Sequence, residues 1–104
     1  MPRYLMRLNG YYFDWSTIVD APVTNAMTLD ELQAHIKAEF GEVGLRELPE
    51  RLKRVAHHGT SAMDGTKPHE LIAGNRAGPN ESRLTAAGIL KHFPPTLGAR
   101  EVKE

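Results

Sequence analysis

The sequence predicts an α+β fold: an N-terminal β-hairpin packed against three to four short helices in a single small domain. Three observations carry this. Asn9-Gly10 sits between two runs rich in aromatic and apolar residues, Thr28 opens a capped amphipathic stretch, and the remaining chain is cut by glycines and prolines into short helical segments. The length of 104 residues allows one hydrophobic core, expected over residues 1–95, with 96–104 as a C-terminal tail.

The hairpin is expected over residues 3–19. Asn9 and Gly10 both tolerate the positive φ that a type I′ turn demands. With that turn, Leu8 faces Tyr11, Met6 faces Phe13 and Tyr4 faces Trp15, so all six share one face. Arg7, Leu5 and Arg3 then oppose Tyr12, Asp14 and Ser16 on the other. A one-residue slip would send the aromatic set into solvent, so turn and pattern specify the same register. Tyr12 is the one aromatic on the opposite face, and Pro22 ends regular pairing or marks an edge.

A helix is predicted over 29–40. Thr28 is its N-cap, Glu31 completes a capping box, Leu29, Leu32, Ile36 and Phe40 recur at helical spacing, and Gly41 stops it. The aromatic hairpin face is expected to pack on this helix. A second helix is expected near 45–58, its regular part over 48–58, with Leu45, Leu48, Leu52 and Val55 as its buried stripe and Glu47, Glu50, Arg51, Lys53 and Arg54 facing water; Pro49 fits its first turn and Gly59 its end. Shorter helices are expected over 67–73 and over 86–93, the latter capped by Thr85 with Leu84 and Ile89 as a staple.

Composition excludes several function classes. Lys plus Arg and Asp plus Glu are both 13, so bulk charge does not favour nucleic acid or an anionic membrane. The absence of cysteine removes disulfides, thiolate metal sites and thiol catalysis. No apolar run is long enough to cross a membrane, and no basic-then-apolar leader opens the chain, so no membrane association and a cytoplasmic location are expected. The zero net charge is nevertheless uneven. Residues 1–50 hold 8 acids and 4 bases, residues 51–100 hold 3 acids and 8 bases, and four of the five histidines lie in that positive half.

His57-His58-Gly59-Thr60 resembles the His-His-Gly-Ser/Thr segment of metallo-β-lactamase-fold hydrolases over a short stretch. That family's upstream His-x-His-x-Asp-His cluster has no counterpart here, and helical spacing precedes the motif where the family has a strand. No role is therefore carried over. His57, His58, Asp64 and His69, with Glu70, are metal candidates by residue type. They lack a His-x-x-x-His pair, and adjacent helical histidines diverge by about 100°. Glu31, His35 and Glu39 share one helix face and read as a solvated stripe.

The loop 74–83 has more binding character. Arg76, Asn80 and Arg83 lie among glycines and turn formers, and arginine forks pair bidentately with oxyanions. The competing reading is a connector whose arginines hold carbonyls or the acidic N-terminal half. No P-loop or nucleophile elbow is present, and neither a cofactor nor a catalytic residue is expected.

The leading expectation is a small non-enzymatic accessory protein, of the kind phages and mobile elements carry. It would bind a protein partner through the hairpin surface, with Tyr12 foremost, or through the Arg76–Arg83 loop. The first alternative is a nucleic-acid-binding module using the basic second half, and the second a metal-dependent hydrolase using the His57, His58, Asp64 and His69 cluster. A homodimer pairing hairpin edges would cover one of the two edges of a two-stranded sheet.

Overall fold

The computed structural model describes residues 3–95 and has the expected α+β architecture. Strand β1 (Arg3–Leu8) and strand β2 (Tyr11–Ser16) form the hairpin in the register read from the sequence, from Leu8 against Tyr11 to Arg3 against Ser16. Asn9 and Gly10 take φ of 54° and 84°, as a type I′ turn requires. The second strand stops short of residue 19. The Ser16 hydroxyl accepts the Ile18 and Val19 N–H groups at 3.2 and 3.4 Å, turning the chain locally instead of extending it. After Asp20, at φ 56°, strand β3 (Ala21–Pro22) pairs antiparallel with β2, leaving β2 central.

Helix α1 spans Leu29–His58 and is broken at Gly41, whose φ of 67° and ψ of −155° are open to glycine. The Thr28–Glu31 capping box is present, with Glu31 N–H donating to Thr28 Oγ1 at 3.2 Å and Thr28 N–H to Glu31 Oε1 at 2.9 Å. Gly59 closes the helix in the left-handed region, its N–H donating to the Val55 carbonyl at 2.7 Å. The second arm, 42–58, begins a turn and a half before the expected regular part, so Pro49 lies inside it. Tertiary packing accounts for the difference: buried Gly44 lets the second arm approach Ile36 and Phe40 of the first. Helices α2 (Pro68–Ala73) and α3 (Ala86–His92) follow, the second capped by Thr85, with a 3-10 turn at Pro79–Glu81 between them.

The sheet is covered on both faces, and the cover differs from expectation. Met6, Phe13 and Trp15 are packed by Ala26, Ile89, Leu71, Ile72, Leu84 and Phe93, so the C-terminal segments, not the 29–40 helix, cover the aromatic face. Helix α1 lies on the opposite face, where Leu5 joins Met27, Leu32, Ile36, Leu48 and Val55. The crossing point is visible in sequence neighbours: Ala26 enters the first core and Met27 the second. Residues 21–27 run along the β2 edge, and alternate side chains there feed opposite faces.

Both hairpin edges are occupied from within the chain. On the β1 side, Arg7 N–H donates to the Gly59 carbonyl at 2.8 Å, Ser61 N–H to the Leu5 carbonyl at 2.9 Å, and Leu5 N–H to Ser61 Oγ at 2.9 Å. On the β2 side, Tyr12 and Met27 exchange backbone hydrogen bonds at 2.8 and 2.9 Å. The edge pairing envisaged for a homodimer is thus taken along these stretches by residues 59–61 and 21–27. Among the described residues no helix is long and apolar enough to cross a membrane.

Gly44 offers a test of the helix-on-helix packing. A Cβ there would lie 2.5 Å from Phe40 Cβ and 3.0 Å from Ile36 Cγ2. Glycine to alanine in an open helix stabilises by about 1 kcal/mol, whereas overpacking costs about 1–3 kcal/mol. Gly44→Ala is expected to lower stability in urea unfolding; a gain would disprove the close approach.

Candidate binding cleft

The hairpin register places Asp14 on the face that α1 covers, diagonal to Arg3 across the strand pair. Asp14 is 1% exposed. Its Oδ2 accepts Arg3 Nη1 at 2.7 Å and pairs with His35 Nε2 at 2.8 Å. Its backbone is held as well, with N–H on Thr24 Oγ1 at 3.2 Å and carbonyl accepting Val23 N–H at 2.8 Å. Asp14 Oδ1 has no hydrogen-bond partner among the described residues. Arg51, from the second arm of α1, feels this carboxylate electrostatically. A buried carboxylate is tolerable only with such cationic and hydrogen-bonding company.

Beside this cluster lies a cleft of about 490 Å³ lined by Arg3 and Tyr4 of β1, Ser61 and Met63, and a row from α1. That row is Arg46, Glu47, Glu50, Arg51 and Arg54, spaced i, i+1, i+4, i+5 and i+8 along one helix face. The arginines are unequally committed. Arg3 is engaged by Asp14, and Arg54 donates Nε–H to the Ser61 carbonyl at 2.8 Å. Arg46 and Arg51 make no hydrogen bond or ion pair among the described residues. Partial burial, reinforced by repulsion from Arg54, pushes the Arg51 guanidinium pKa below its ordinary value, with Asp14 and Glu47 opposing. Glu50 is occupied by Lys53 at 3.4 Å.

Ser61 adds a buried polar group to the same cleft. It is 5% exposed, and its hydroxyl oxygen accepts the Leu5 N–H while its own proton goes to no described residue. No histidine lines the cleft.

The residues singled out from sequence fall elsewhere. Tyr12 is on the face opposite the aromatic set, as read, but that face is covered. The ring is half-buried against the α1 core with the Arg7 guanidinium 5.9 Å from its centroid. Arg76 bridges Asp20 and Glu81, each at 3.3 Å, and donates its backbone N–H to the Asp20 carbonyl at 2.8 Å. Arg83 donates to the Ala73 carbonyl at 3.2 Å, and Asn80 stands exposed at φ 57°. Both arginines of the 74–83 loop are thus engaged by groups of the chain itself. The loop's centre is buried Asn75, whose amide donates to the Ile72 and Leu84 carbonyls at 2.5 and 2.7 Å and whose Oδ1 accepts Leu84 N–H at 2.8 Å. Sequence reasoning passed over Asn75, since only the folded loop shows those backbone groups converging.

The histidine cluster does not assemble. Among the described residues no three His, Asp or Glu side chains lie together as a metal site. His57 and His58 are exposed with ring centroids 6.0 Å apart, and His69 and Glu70 are exposed on α2. Asp64 instead accepts the Thr66 hydroxyl at 2.6 Å and the Thr66 N–H at 3.0 Å, which hold its carboxyl below the usual carboxylate range. His35, read as part of a solvated stripe, is the second partner of Asp14. The cleft itself was missed because Arg51 and Arg54 read as water-facing. The available signal was their alignment with Arg46, Glu47 and Glu50 on one face.

Compared with known protein families, curated proteins and solved structures, the chain matches none.

Two outcomes follow from this geometry. His35→Ala leaves the buried Asp14 carboxylate with fewer donors and is expected to cost about 1–3 kcal/mol in urea unfolding; an unchanged midpoint would show the imidazole contact to be dispensable. Because the folded Asp64 pKa is depressed, its hydrogen bonds favour the fold above the ordinary carboxyl pKa. That contribution is lost as pH falls through the depressed folded value. In Thr66→Val, NMR titration should find the Asp64 carboxyl moved up towards the ordinary aspartate value.

Proposed function

We propose that this chain is a small non-enzymatic interaction protein that docks an anionic segment of a protein partner in the arginine-lined cleft. The carrying observation is that Arg46 and Arg51 line a concave site with no carboxylate at ion-pair distance among the described residues. A partly desolvated guanidinium loses hydration that only a well-placed acceptor replaces, and arginine clusters are a recurring means of holding acidic motifs. Tyr4 and Met63 add apolar surface beside the charges, and Met63 is 86% exposed. This surface differs from the one expected around Tyr12, Arg76, Asn80 and Arg83, of which Arg76 is held by Asp20 and Glu81 and Arg83 donates to the Ala73 carbonyl.

The nucleic-acid reading draws less support. Glu47 and Glu50 line the same cleft, and a continuous phosphate backbone would meet them as well as the arginines. Arg76 and Arg83 are engaged at the separate 74–83 loop rather than extending the basic surface. Hydrolysis through the histidines draws less support as well, since among the described residues they meet no convergent ligand set of the kind metal chemistry needs.

Fluorescence anisotropy with a labelled oligoglutamate peptide tests the proposal against a single-stranded oligonucleotide of equal charge. The peptide is expected to bind in a salt-sensitive manner, with Arg46→Glu plus Arg51→Glu weakening it about tenfold or more and Arg83→Ala leaving it unchanged. Oligonucleotide binding that exceeds peptide binding and also depends on Arg51 would favour the nucleic-acid reading. Peptide binding insensitive to the cleft substitutions would remove the cleft from consideration.

A further inference from the structure

We infer that the anion taken by the cleft is a phosphomonoester, carried on a phosphorylated side chain; this rests on the proposed docking role and gives it a ligand chemistry. Charge is the first argument. Arg3 pairs with Asp14 and Glu50 with Lys53; among the described residues this sets Arg46, Arg51 and Arg54 against Glu47, a local excess of two positive charges, with Arg51 also feeling the field of Asp14. A phosphomonoester carries about −1.5 to −2 at neutral pH, which matches that excess, whereas one carboxylate matches half of it.

Donor geometry is the second argument. A phosphomonoester presents three terminal oxygens, each a strong acceptor. The cleft offers the forks of Arg46 and Arg51, the Nη groups of Arg54 left after Nε–H binds the Ser61 carbonyl, and the unspent hydroxyl proton of Ser61. Arginine forks suit two parallel hydrogen bonds to one phosphoryl group. Ser61 is fixed by the Leu5 N–H and by its own N–H on the Leu5 carbonyl, so its hydroxyl is presented from a rigid strand edge. Glu47 supplies the opposing element: it offsets one of the arginine charges, so the balance that remains suits one compact dianion. Tyr4 and Met63 at the same cleft give the residue next to the phosphate an apolar seat.

The experiment is an NMR titration of the full chain, following the backbone amides of residues 46–54 and the Arg51 side chain. The probes are a phosphoserine peptide with a neighbouring leucine, the same peptide with serine, the same with glutamate, and phenyl phosphate alone. The phosphopeptide is expected to bind at least about tenfold more tightly than the serine or glutamate peptide. Arg51→Lys, which keeps the charge but loses the fork, should abolish that preference, and exposed Arg46→Ala provides a second variant that leaves the buried cluster intact. Phenyl phosphate binding as tightly as the phosphopeptide would uphold the phosphomonoester chemistry and assign its source to a small molecule. A glutamate peptide bound as tightly as the phosphopeptide would overturn the phosphate inference while leaving anionic docking in place. Absence of any saturable shift at residues 46–54 with all four probes would overturn both.

Discussion

A carboxylate buried at the middle of a sheet face organises this molecule. Asp14 sits on the central strand, and its Oδ2 is shared by Arg3 across the hairpin and His35 from the first arm of α1. Its backbone holds residues 23 and 24 on the outer edge. Sheet, helix and connecting segment therefore meet at one residue. The apolar contacts around Leu5, Leu32 and Ile36 supply the main driving force for this layer, but they are not directional. Hydrogen bonds to a buried charge are directional, and misplacing α1 would strip His35 from that charge and leave it to Arg3, at a cost of about 1–3 kcal/mol.

The same cluster sets the character of the cleft. With Asp14 spent on Arg3 and His35, the arginines of the second α1 arm are left to face a neighbouring concavity, and Arg51 stands partly desolvated between them. Charge stays available there because the fold's internal partners are consumed elsewhere: Asp20 and Glu81 by Arg76, Glu50 by Lys53, Asp64 by Thr66. The uneven charge along the chain is thus used in two ways. Of the loop arginines, Arg76 is tied to Asp20 and Glu81 and Arg83 to the Ala73 carbonyl, while helix arginines line an open site.

Two kinds of residue were legible beforehand and two were not. Turn, cap and stop residues act within a few positions of themselves, so Asn9-Gly10, Thr28, Gly59 and Thr85 could be read directly. Hairpin register was equally legible, since a slip inverts every side chain. Asn75 and Asp14 were not, because each works through groups distant in the chain or closed together only by the folded loop. The early start of the second α1 arm belongs with them: local rules put Pro49 in a first turn, and the contact of Gly44 with Ile36 and Phe40 outweighs them.

By itself the sequence determined the α+β class, the hairpin and its register, and where most helices begin or end, because these depend on short-range sterics, capping and periodicity. Only the tertiary structure decided which helix covers which sheet face. Both faces carry apolar residues, and the outcome depended on where the chain crosses the β2 edge, between Ala26 and Met27. It also decided which arginines are spent and which remain. Charge counts treat Arg51 and Arg76 alike, whereas distance to a carboxylate separates them.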